Sequence, residues 1–400
     1  MKTTGRFFVY IVLMLTPFAF AATSTPQSMG NAQSMSAKSY IAYVGTYTTK
    51  TKSEGIYAFR YDAASGKLTP LGVAAKTADP SFLAVHPDGK HLYAVNEAGK
   101  ASMVSAFVRN ADDTLTLLNQ VPALGEDPCF ISFDRTGKYA LIANYTSGNV
   151  AVFPILADGK LGAATANLRD EGAHGPAKQQ ADGPHAHWIE ASEHNRFAYV
   201  SDLGLDRVLI YKFDASKGTL ARGDANAADG VFSVPVASGT GPRHVAFSHD
   251  ERFMYVLGEI KSTVTVFANG GKNGGEEYAE AQTISTLPEG FTGRNDAAEM
   301  AMHPSGKFLY TSNRGDDSIA IFSVDAKTGK LTAKGRVKTG GKEPRHFALD
   351  PAGRYLLAEN QWSDSVVTFR IDPATGQLTR QGGEAAVASP VCLVFAPAAK

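Results

Sequence analysis

The sequence predicts an all-β fold, a seven-bladed β-propeller whose ring is closed by the C-terminal strand joining the N-terminal blade. Three features of the 400-residue chain support this fold class. A four-strand unit recurs along most of the chain, complementary partial units stand at its two ends, and no segment sustains the 3.6-residue apolar period of an amphipathic helix. Helical solenoids and alternating strand-helix folds are therefore disfavoured.

The repeated unit contains a short apolar strand after a proline, a Pro-Asp-Gly-Lys-type turn, an aromatic-rich strand ending in Asn, a Val/Ile-Phe strand and a last strand after a Gly-Lys-Leu turn. Its clearest copy runs from Pro80 to Phe107. Further copies start 47 to 58 residues apart, at Pro128, near Ala186, at Pro242, near Ala297 and at Pro344. Such a period with four strands per unit is typical of propellers, because each small sheet buries its faces only against its neighbours.

The two ends of the chain complete the blade count. Pro390 to Phe395 matches the first strand of a unit, whereas Tyr40–Tyr47, Gly55–Tyr61 and Leu68–Leu71 match the second, third and fourth strands. A C-terminal strand that supplies the missing innermost strand removes two open sheet edges at once. Six complete units and one shared unit predict seven blades in one domain over residues 40–400.

The N-terminus predicts export. Lys2 and Arg6 precede an apolar run from Phe7 to Phe20, and Ala19-Phe20-Ala21 fits a signal-peptidase site. The alternative, a single-pass anchor, would need about 20 apolar residues, more than this run provides. We therefore expect a signal peptide over residues 1–22, a flexible lead-in over 23–39, a periplasmic or secreted protein, and no stable membrane anchor after cleavage.

Composition excludes several classes of protein. The chain has 39 Lys+Arg against 39 Asp+Glu, with 44% apolar residues, so it is neither a disordered charged tail nor a disulfide-built miniprotein. A balanced chain without a basic run also argues against nucleic acid as a partner. Cys129 and Cys392 fall in blades that are not neighbours and are expected to be buried free thiols.

Aligning the units on their second strands gives three columns of residues near one mouth of the central channel. The column that repeats as Asn or Asp is expected to cap backbone groups of the turn. The other two columns vary between blades. The entry of the first strand carries Ser81, Cys129, His187, Arg243, Ala298, Arg345 and Val391, and the end of the second strand carries Glu97, Tyr145, Leu203, Glu259, Arg314, Gln361 and Tyr47.

Charge concentrates in these two variable columns, with no repeat-level structural reason, so we expect a functional site there. His185-Ala186-His187 lies at a strand entry, where alternate residues point the same way and two imidazoles could serve as metal ligands. Arginines supply most of the remaining candidates and repel a cation, so neither a metal nor another cofactor is expected. The sequence contains no Gly-x-Ser-x-Gly nucleophile motif.

The segments Tyr43–Thr48, Pro242-Arg243-His244, Ser312-Asn313-Arg314 and Pro344-Arg345-His346 resemble the seven-bladed β-propeller lactonase family. This family includes propeller-type 6-phosphogluconolactonases and the fungal carboxy-muconate lactonizing enzyme. The resemblance covers residues 40–397. It implies a catalytic set of His187, Arg243, Glu259 and Arg314, beside which His185, Arg345, His244, Glu97 and Tyr145 are the expected substrate-binding residues.

Lactone hydrolysis is the activity that the resemblance implies. His187 suits a base or acid role, Glu259 an orienting or base role, and the arginines the binding of an oxyanion or a carboxylate. Export favours an unphosphorylated sugar lactone such as glucono-δ-lactone. A 6-phosphogluconolactonase, a lactone-forming or lactone-opening cycloisomerase and a non-catalytic binding propeller remain alternatives, and the oligomeric state stays open.

Overall fold

A computed structural model describes residues 39–222, 232–271 and 277–398. The predicted signal peptide and residues 23–38 of the predicted lead-in lie outside the described residues. No helix in these three ranges is long and apolar enough to span a membrane.

The described residues form seven small antiparallel sheets, each of which is one blade. In chain order their strands are β1 (Ser39–Thr46), β2 (Gly55–Asp62), β3 (Lys67–Lys76); β4 (Pro80–Val85), β5 (His91–Asn96), β6 (Met103–Arg109), β7 (Leu115–Pro122); β8 (Pro128–Phe133), β9 (Tyr139–Asn144), β10 (Asn149–Pro154), β11 (Ala166–Arg169); β12 (Ala186–Ala191), β13 (Phe197–Asp202), β14 (Arg207–Asp214), β15 (Thr219–Ala221), β16 (Phe232–Pro235); β17 (Pro242–Phe247), β18 (Phe253–Gly258), β19 (Thr263–Asn269), β20 (Tyr278–Ser285); β21 (Asp296–Met302), β22 (Phe308–Arg314), β23 (Ser318–Val324), β24 (Leu331–Lys338); β25 (Pro344–Leu349), β26 (Tyr355–Asn360), β27 (Ser365–Ile371), β28 (Leu378–Ala386); and β29 (Pro390–Pro397). Within the described ranges, three 3-10 helices cover Gly99–Ala101, Lys178–Gln180 and Gln361–Ser363.

The predicted ring closure is confirmed. The C-terminal strand β29 pairs with β1 in the first blade, so that this sheet runs β29-β1-β2-β3. The innermost strands β4, β8, β12, β17, β21, β25 and β29 each contact the next around the ring, and β29 contacts both β4 and β25. The fold is therefore the predicted seven-bladed propeller.

Burial follows the position of each strand in its blade. Second strands such as β9 are buried along their whole length, whereas outer strands such as β7 and β24 are largely exposed. The inner strands pack between neighbouring blades and read as nearly continuous apolar runs for that reason. The two cysteines, Cys129 and Cys392, are buried and free, as expected.

A β-bulge interrupts the first strand of every blade near its entry. In the fifth blade, for example, the pairing of β17 with β18 shifts between Pro242 and Val245. Consecutive residues of a regular strand point to opposite faces, and the bulge suspends this alternation. Arg243 and His244 consequently both line the channel, as do Arg345 and His346.

Candidate active site

One backbone hydrogen bond joins the two variable columns in most blades. The residue after the second strand donates its N–H to the carbonyl two positions before the first-column residue. In the fifth blade, Glu259 donates to Gly241 over 2.8 Å. Equivalent bonds run from Glu97 to Asp79, Tyr145 to Asp127, Leu203 to His185, Gln361 to Glu343 and Tyr47 to Ser389. The columns inferred from sequence therefore meet at one end of the channel, which we call the mouth.

Gly241 lets the chain enter β17 beside the mouth. Its φ is +64°, in the left-handed region, and a Cβ there would lie 2.7 Å from Ile260 Cδ1. Glycine adopts this conformation more readily than other residues, although Asp79 and Asp127 also have positive φ at the equivalent positions. The turn leads into β17 so that Arg243 Nε lies 3.0 Å from Glu259 Oε2.

Arg243, Glu259 and Arg314 form a buried ion cluster at the mouth. Glu259 Oε2 lies 3.0 Å from Arg243 Nε and 3.1 Å from Arg314 Nη2. Neither nitrogen has a well-aligned hydrogen-bond acceptor, although both are shielded from solvent. Guanidinium groups held in place by a carboxylate in this way are the type of donor that binds an oxyanion or carboxylate oxygen.

The charge states of this cluster follow from its surroundings. Burial raises the pKa of Glu259, but Arg314, Arg243 and Arg345 lower it more, so the carboxylate stays ionised. Burial and Arg314 lower the pKa of Arg243 to about 10, which leaves it protonated at neutral pH. Glu259 thus holds two cations together and makes no hydrogen bond to His187 among the described contacts.

His187 lies beside His244 and Tyr145, and the charge of Arg243 acts on it. The residue is 4% exposed, its ring lies 5.4 Å from that of His244 and 5.5 Å from that of Tyr145, and its Nδ1 has no hydrogen-bond partner. Burial, together with Arg243, His244 and Arg345, lowers its pKa well below the usual value. His187 is therefore neutral at physiological pH.

His185 has a different position from its neighbour two residues away. Its Nδ1 lies 3.0 Å from the Tyr145 carbonyl, its Nε2 lies 3.1 Å from Asp182 Oδ1, and its ring stacks on Tyr145 at 4.6 Å. Both ring nitrogens of His185 thus have partners, which fixes the ring against Tyr145 at the side of the mouth. The bulge between Ala186 and Trp188 gives His185 and His187 different surroundings.

Arg345, Tyr47 and Glu97 form the opposite side of the mouth. The Arg345 guanidinium lies over the Tyr47 ring at 5.4 Å from its centroid, and the Tyr47 hydroxyl donates to Glu97 Oε2 over 2.8 Å. Burial lowers the pKa of Arg345, but Tyr47, Glu97 and Glu259 raise it further above its ordinary value. Arg345 is thus a fixed positive charge beside the ion cluster.

Three buried residues below the mouth were not predicted from the sequence: Glu299, His346 and Glu359. They continue inward from Arg243, whose Nη1 lies 3.3 Å from His244 Nε2. His244 Nδ1 lies 2.9 Å from Glu299 Oε1, His346 Nε2 lies 3.4 Å from Glu299 Oε2, and His346 Nδ1 lies 2.6 Å from Glu359 Oε2. We use the name channel network for the five residues joined by these contacts: Arg243, His244, Glu299, His346 and Glu359.

Burial and neighbouring charges shift the pKa values of the titratable groups in the channel network in opposite directions. Burial raises the pKa of Glu299, but His244 and His346 have the larger, opposite effect and lower this pKa to about 2. Burial raises the pKa of Glu359 to about 7 and lowers that of His244 to about 4.

The repeated Pro-Arg-His motif is the sequence signal that could have located His346.

Several side chains of the repeated Asn/Asp column bond backbone groups, as expected for an architectural position, whereas neither side-chain polar atom of Asn360 has a hydrogen-bond partner. Asn96 donates to the Ala78 carbonyl over 2.5 Å, and Asn144 donates to the Ala123 carbonyl over 3.3 Å. Asp202 accepts from the backbone N–H of His185 over 2.9 Å. These side chains hold the segments that enter the first strands.

The far end of the channel holds a cavity of about 610 Å³, lined partly by Phe82 and Phe130 and by His244, Glu299 and His346 of the channel network. The Phe82 and Phe130 rings lie 4.4 Å apart, and the Phe130 ring lies 5.3 Å from that of His244. The channel network therefore borders both the mouth and this cavity. All nine predicted site residues belong to the mouth or to the channel network directly beneath it.

Comparison with known proteins identifies the family of this chain. Residues 41–395 match the family model described as lactonase, 7-bladed beta-propeller. A 6-phosphogluconolactonase of Bacillus subtilis (strain 168) is 34% identical over 307 residues, which cover 76% of this chain and 84% of that protein. One of Formosa agariphila is 33% identical over 310 residues, covering 76% and 84% respectively. The structure of a Pseudomonas aeruginosa periplasmic gluconolactonase has a TM-score of 0.81 and 34% identity, covering 90% of this chain and 99% of that chain.

Proposed function

The chain belongs to the seven-bladed β-propeller lactonase family and is a lactonase, and from this premise we propose that it hydrolyses a sugar lactone of the aldonolactone class, such as glucono-δ-lactone, to the free acid. The observation that carries the proposal is the pair of guanidinium groups, Arg243 and Arg314, held by Glu259 beside the neutral imidazole of His187. This set supplies both oxyanion donors and a proton acceptor.

The arginines bind the oxygen that becomes negative. Water attacks the lactone carbonyl carbon, the C=O electrons move to oxygen, and the N–H groups of Arg243 and Arg314 stabilise the resulting oxyanion. Donors already fixed by Glu259 need no reorganisation as this charge develops. Arg345 adds to the positive field that retains the carboxylate of the product.

His187 moves the proton. Its neutral ring accepts a proton from the attacking water, and the imidazolium returns it to the ring oxygen when the C–O bond breaks. The nearby arginines disfavour the imidazolium, which speeds its return of the proton to the leaving oxygen. Atoms balance as lactone plus water giving hydroxy acid.

The predicted signal peptide supports an unphosphorylated substrate. An exported enzyme meets sugar lactones formed outside the cytoplasm, and the periplasmic gluconolactonase of P. aeruginosa aligns over 99% of its own length. We propose that the protein is exported, acts on a small molecule without nucleic acid or a stable membrane anchor, and needs no cofactor. Cell fractionation and the mass of the mature N-terminus test the export.

The test is acid release from glucono-δ-lactone above the spontaneous rate, followed with a pH indicator. We expect kcat/KM to fall by about 10²-fold or more in His187→Ala and Arg243→Ala, the range for loss of a proton-transfer group or an oxyanion donor. Exposed His249 and Arg370 provide controls, since His249→Ala and Arg370→Ala alter the same residue types away from the mouth.

The pH dependence gives an independent readout. Because the pKa of His187 lies well below 6.5, its neutral form persists into mildly acidic solution. We expect kcat/KM to stay level from pH 7.5 down to about 6.5 and to fall only below it, where an ordinary imidazole would already be half protonated. Wild-type rates in both site variants, or a limb centred above pH 7, would contradict the assignment.

A second candidate substrate is a 6-phosphorylated sugar lactone. A groove of about 560 Å³ adjoins Tyr47 at the mouth and is lined by Lys50, Lys52 and Trp362. Two ammonium groups and an exposed indole at this place suit a phosphate on the far end of a sugar. Relatives named 6-phosphogluconolactonase agree with this candidate.

Removing the two ammonium groups separates the candidates. In Lys50→Ala/Lys52→Ala we expect kcat/KM for 6-phosphogluconolactone to drop about tenfold or more, as lost charge-assisted contacts would cause, while glucono-δ-lactone hydrolysis stays unchanged. The exposed Lys212 offers a matched control as Lys212→Ala. A wild-type preference for the phosphorylated ester that disappears in the double variant would replace our first candidate with the second.

Solvent labelling distinguishes hydrolysis from cycloisomerisation. Hydrolysis in H₂¹⁸O places one ¹⁸O in the carboxylate, whereas a cycloisomerase opens the ring without incorporating solvent oxygen. We expect one labelled oxygen per product molecule by mass spectrometry. An unlabelled acid would contradict the proposed reaction.

A further inference from the structure

The turn between β4 and β5 brings two imidazoles and a carboxylate together: His86, Asp88 and His91. Asp88 Oδ2 lies 3.1 Å from His86 Nδ1 and 2.7 Å from His91 Nδ1. The three potential ligand atoms all lie within 4.8 Å of one another. This cluster is at the opposite end of these strands from the mouth residues Ser81 and Glu97, so the lactonase site does not account for it.

The hydrogen bonds of His86 show which of its nitrogens offers a lone pair. Its Nε2 lies 2.8 Å from the Gly137 carbonyl, and because a carbonyl only accepts, Nε2 carries the proton. The backbone N–H of Asp88 donates to Nδ1 over 3.3 Å, which agrees with a lone pair there. A carbonyl on the far nitrogen is the arrangement that orients metal-binding histidines.

The lone pair of His86 Nδ1 therefore faces a carboxylate oxygen. Asp88 Oδ1 accepts the backbone N–H groups of Lys90 and His91 over 2.7 and 3.2 Å, and this turns Oδ2 toward the two rings. Two acceptors 3.1 Å apart repel each other unless a proton or a metal cation lies between them. His91 Nδ1 approaches the same oxygen from the other side.

The sixth blade contains a natural comparison at the same turn. His303 Nε2 bonds the Gly353 carbonyl over 2.7 Å, as His86 bonds Gly137, so this bond is part of the blade architecture. There, however, His303 Nδ1 lies 2.8 Å from the Ser305 hydroxyl, which can donate, and Phe308 stands where the second blade has His91. Asp88 and His91 are therefore additions to the shared framework, and both are metal-ligand types.

We propose that His86, Asp88 and His91 form a binding site for a divalent transition-metal ion, best fitted by Zn²⁺. Two imidazole nitrogens and one carboxylate oxygen match the ligand types of zinc, whereas Ca²⁺ and Mg²⁺ prefer oxygen ligands alone. The Asp88 side chain is 33% exposed and the two rings 14% and 16%, so solvent can supply a fourth ligand. The ion would link the end of β4 to the start of β5 across the turn.

The test is equilibrium dialysis and calorimetric titration of the tag-free, chelator-treated protein with ZnCl₂ at pH 7.5. We expect one Zn²⁺ per chain, a melting temperature that rises with free Zn²⁺, and no equivalent binding of Ca²⁺ or Mg²⁺. His91→Phe and Asp88→Ser, which install the residues of the sixth blade, should each lose the stoichiometric binding and the thermal shift. Glucono-δ-lactone hydrolysis should not change, because neither residue lies at the mouth.

A control and a second readout keep the outcome unambiguous. His303→Gln removes the equivalent imidazole of the sixth blade and should leave Zn²⁺ binding intact. Co²⁺ bound to the wild-type protein should show the visible bands of a four-coordinate site even if a variant folds poorly. The proposal is wrong if the wild-type protein binds no stoichiometric Zn²⁺, or if His91→Phe and Asp88→Ser bind it as the wild type does.

Discussion

Glu299 is the residue on which the buried charges of the channel network depend. It is 7% exposed, and its two oxygens lie 2.9 Å from His244 Nδ1 and 3.4 Å from His346 Nε2. A buried carboxylate is costly unless it is paired, and here its two imidazole neighbours compensate for lost hydration. The contact of Glu299 with His244 also helps to position Arg243, whose Nη1 lies 3.3 Å from His244 Nε2.

We predict that Glu299→Gln lowers the free energy of unfolding at pH 7 by about 3–5 kcal/mol, the usual cost of removing one partner from a buried pair. The pKa of Glu299 is depressed to about 2 in the folded protein, below its ordinary value of 4.5. Its contribution is therefore fully present above pH 4.5 and is lost as the pH falls toward 2. Urea unfolding at pH 7.0, 4.5 and 3.5 measures this trend.

Glu384→Gln is the matched control for that substitution. Glu384 is exposed and lies 3.4 Å from Arg380, so we expect a change within about 0.5 kcal/mol. If the difference in free energy of unfolding between Glu299→Gln and the wild type does not decrease below pH 4.5, Glu299 is not ionised in the folded protein.

At the scale of the element, the connection into each first strand carries the mouth residues. The connection before β17 is held by Asp206, whose carboxylate accepts the backbone N–H groups of Gly239 and Gly241 over 2.6 and 2.8 Å. Gln180 donates to the same carboxylate over 2.8 Å. Asp206 thus links the long connection over residues 170–185 to the turn that presents Arg243.

We predict that Asp206→Ala lowers both stability and activity. Two buried N–H groups lose their acceptor, and each unsatisfied group costs about 1–3 kcal/mol. The loosened turn misplaces Arg243, so kcat/KM for glucono-δ-lactone should fall as well. Urea unfolding and initial rates measure the two effects separately.

Asp214→Ala separates position from general loss of stability. Asp214 caps the turn after β14 at the other end of the fourth blade, accepting from Ser216 N over 3.0 Å. It should reduce stability with little change in kcat/KM. An equal loss of activity in both variants would show that the connection does not position Arg243.

At the scale of the whole molecule, the ring depends on the C-terminal strand. The pairing of β29 with β1 extends from Tyr40–Pro397 to Thr46–Pro390, and β29 also contacts the innermost strands of the two neighbouring blades. Without β29, the innermost edge of the first blade and the channel face beside it would be open. Unpaired strand edges are sites of aggregation.

We predict that a chain ending at residue 387 is inactive and associates, as seen by size-exclusion chromatography. A synthetic peptide of residues 388–400 added during refolding should restore soluble monomer and lactonase activity, because it supplies the missing strand in trans. A scrambled peptide of the same composition is the control. A truncated chain that stays monomeric and active without the peptide would contradict the role of β29 in closing the ring.

The repeat allowed much of the architecture to be predicted. The aromatic-rich second strands are similar enough between blades to align, and the two variable columns follow from that alignment. Arg243, Glu259 and Arg314 were predicted to lie together, and the structure places them within ion-pair distance of one another through Glu259. Their roles in catalysis stay predictions that the proposed variants test.

Local irregularity explains what the sequence pattern did not reveal. Strand alternation would place His346 on the face opposite Arg345, whereas the bulge between Pro344 and His346 turns both residues into the channel. The same effect separates His185 from His187, which alternation would place alike. Glu359 belongs to the second strand of the same blade, and the bulge-shifted pairing of β25 with β26 places it directly opposite His346.

The number of blades, the closure of the ring and the columns at the mouth follow from the amino-acid sequence alone, since a repeated pattern of apolar strands and turns specifies the repeated sheet. The tertiary structure decides the pairing of charges. Contacts such as Arg243 with Glu259 and His244 with Glu299 join side chains from different strands or blades. Their protonation depends on burial and on distances of about 3 Å, quantities that exist only after the blades have packed around the channel.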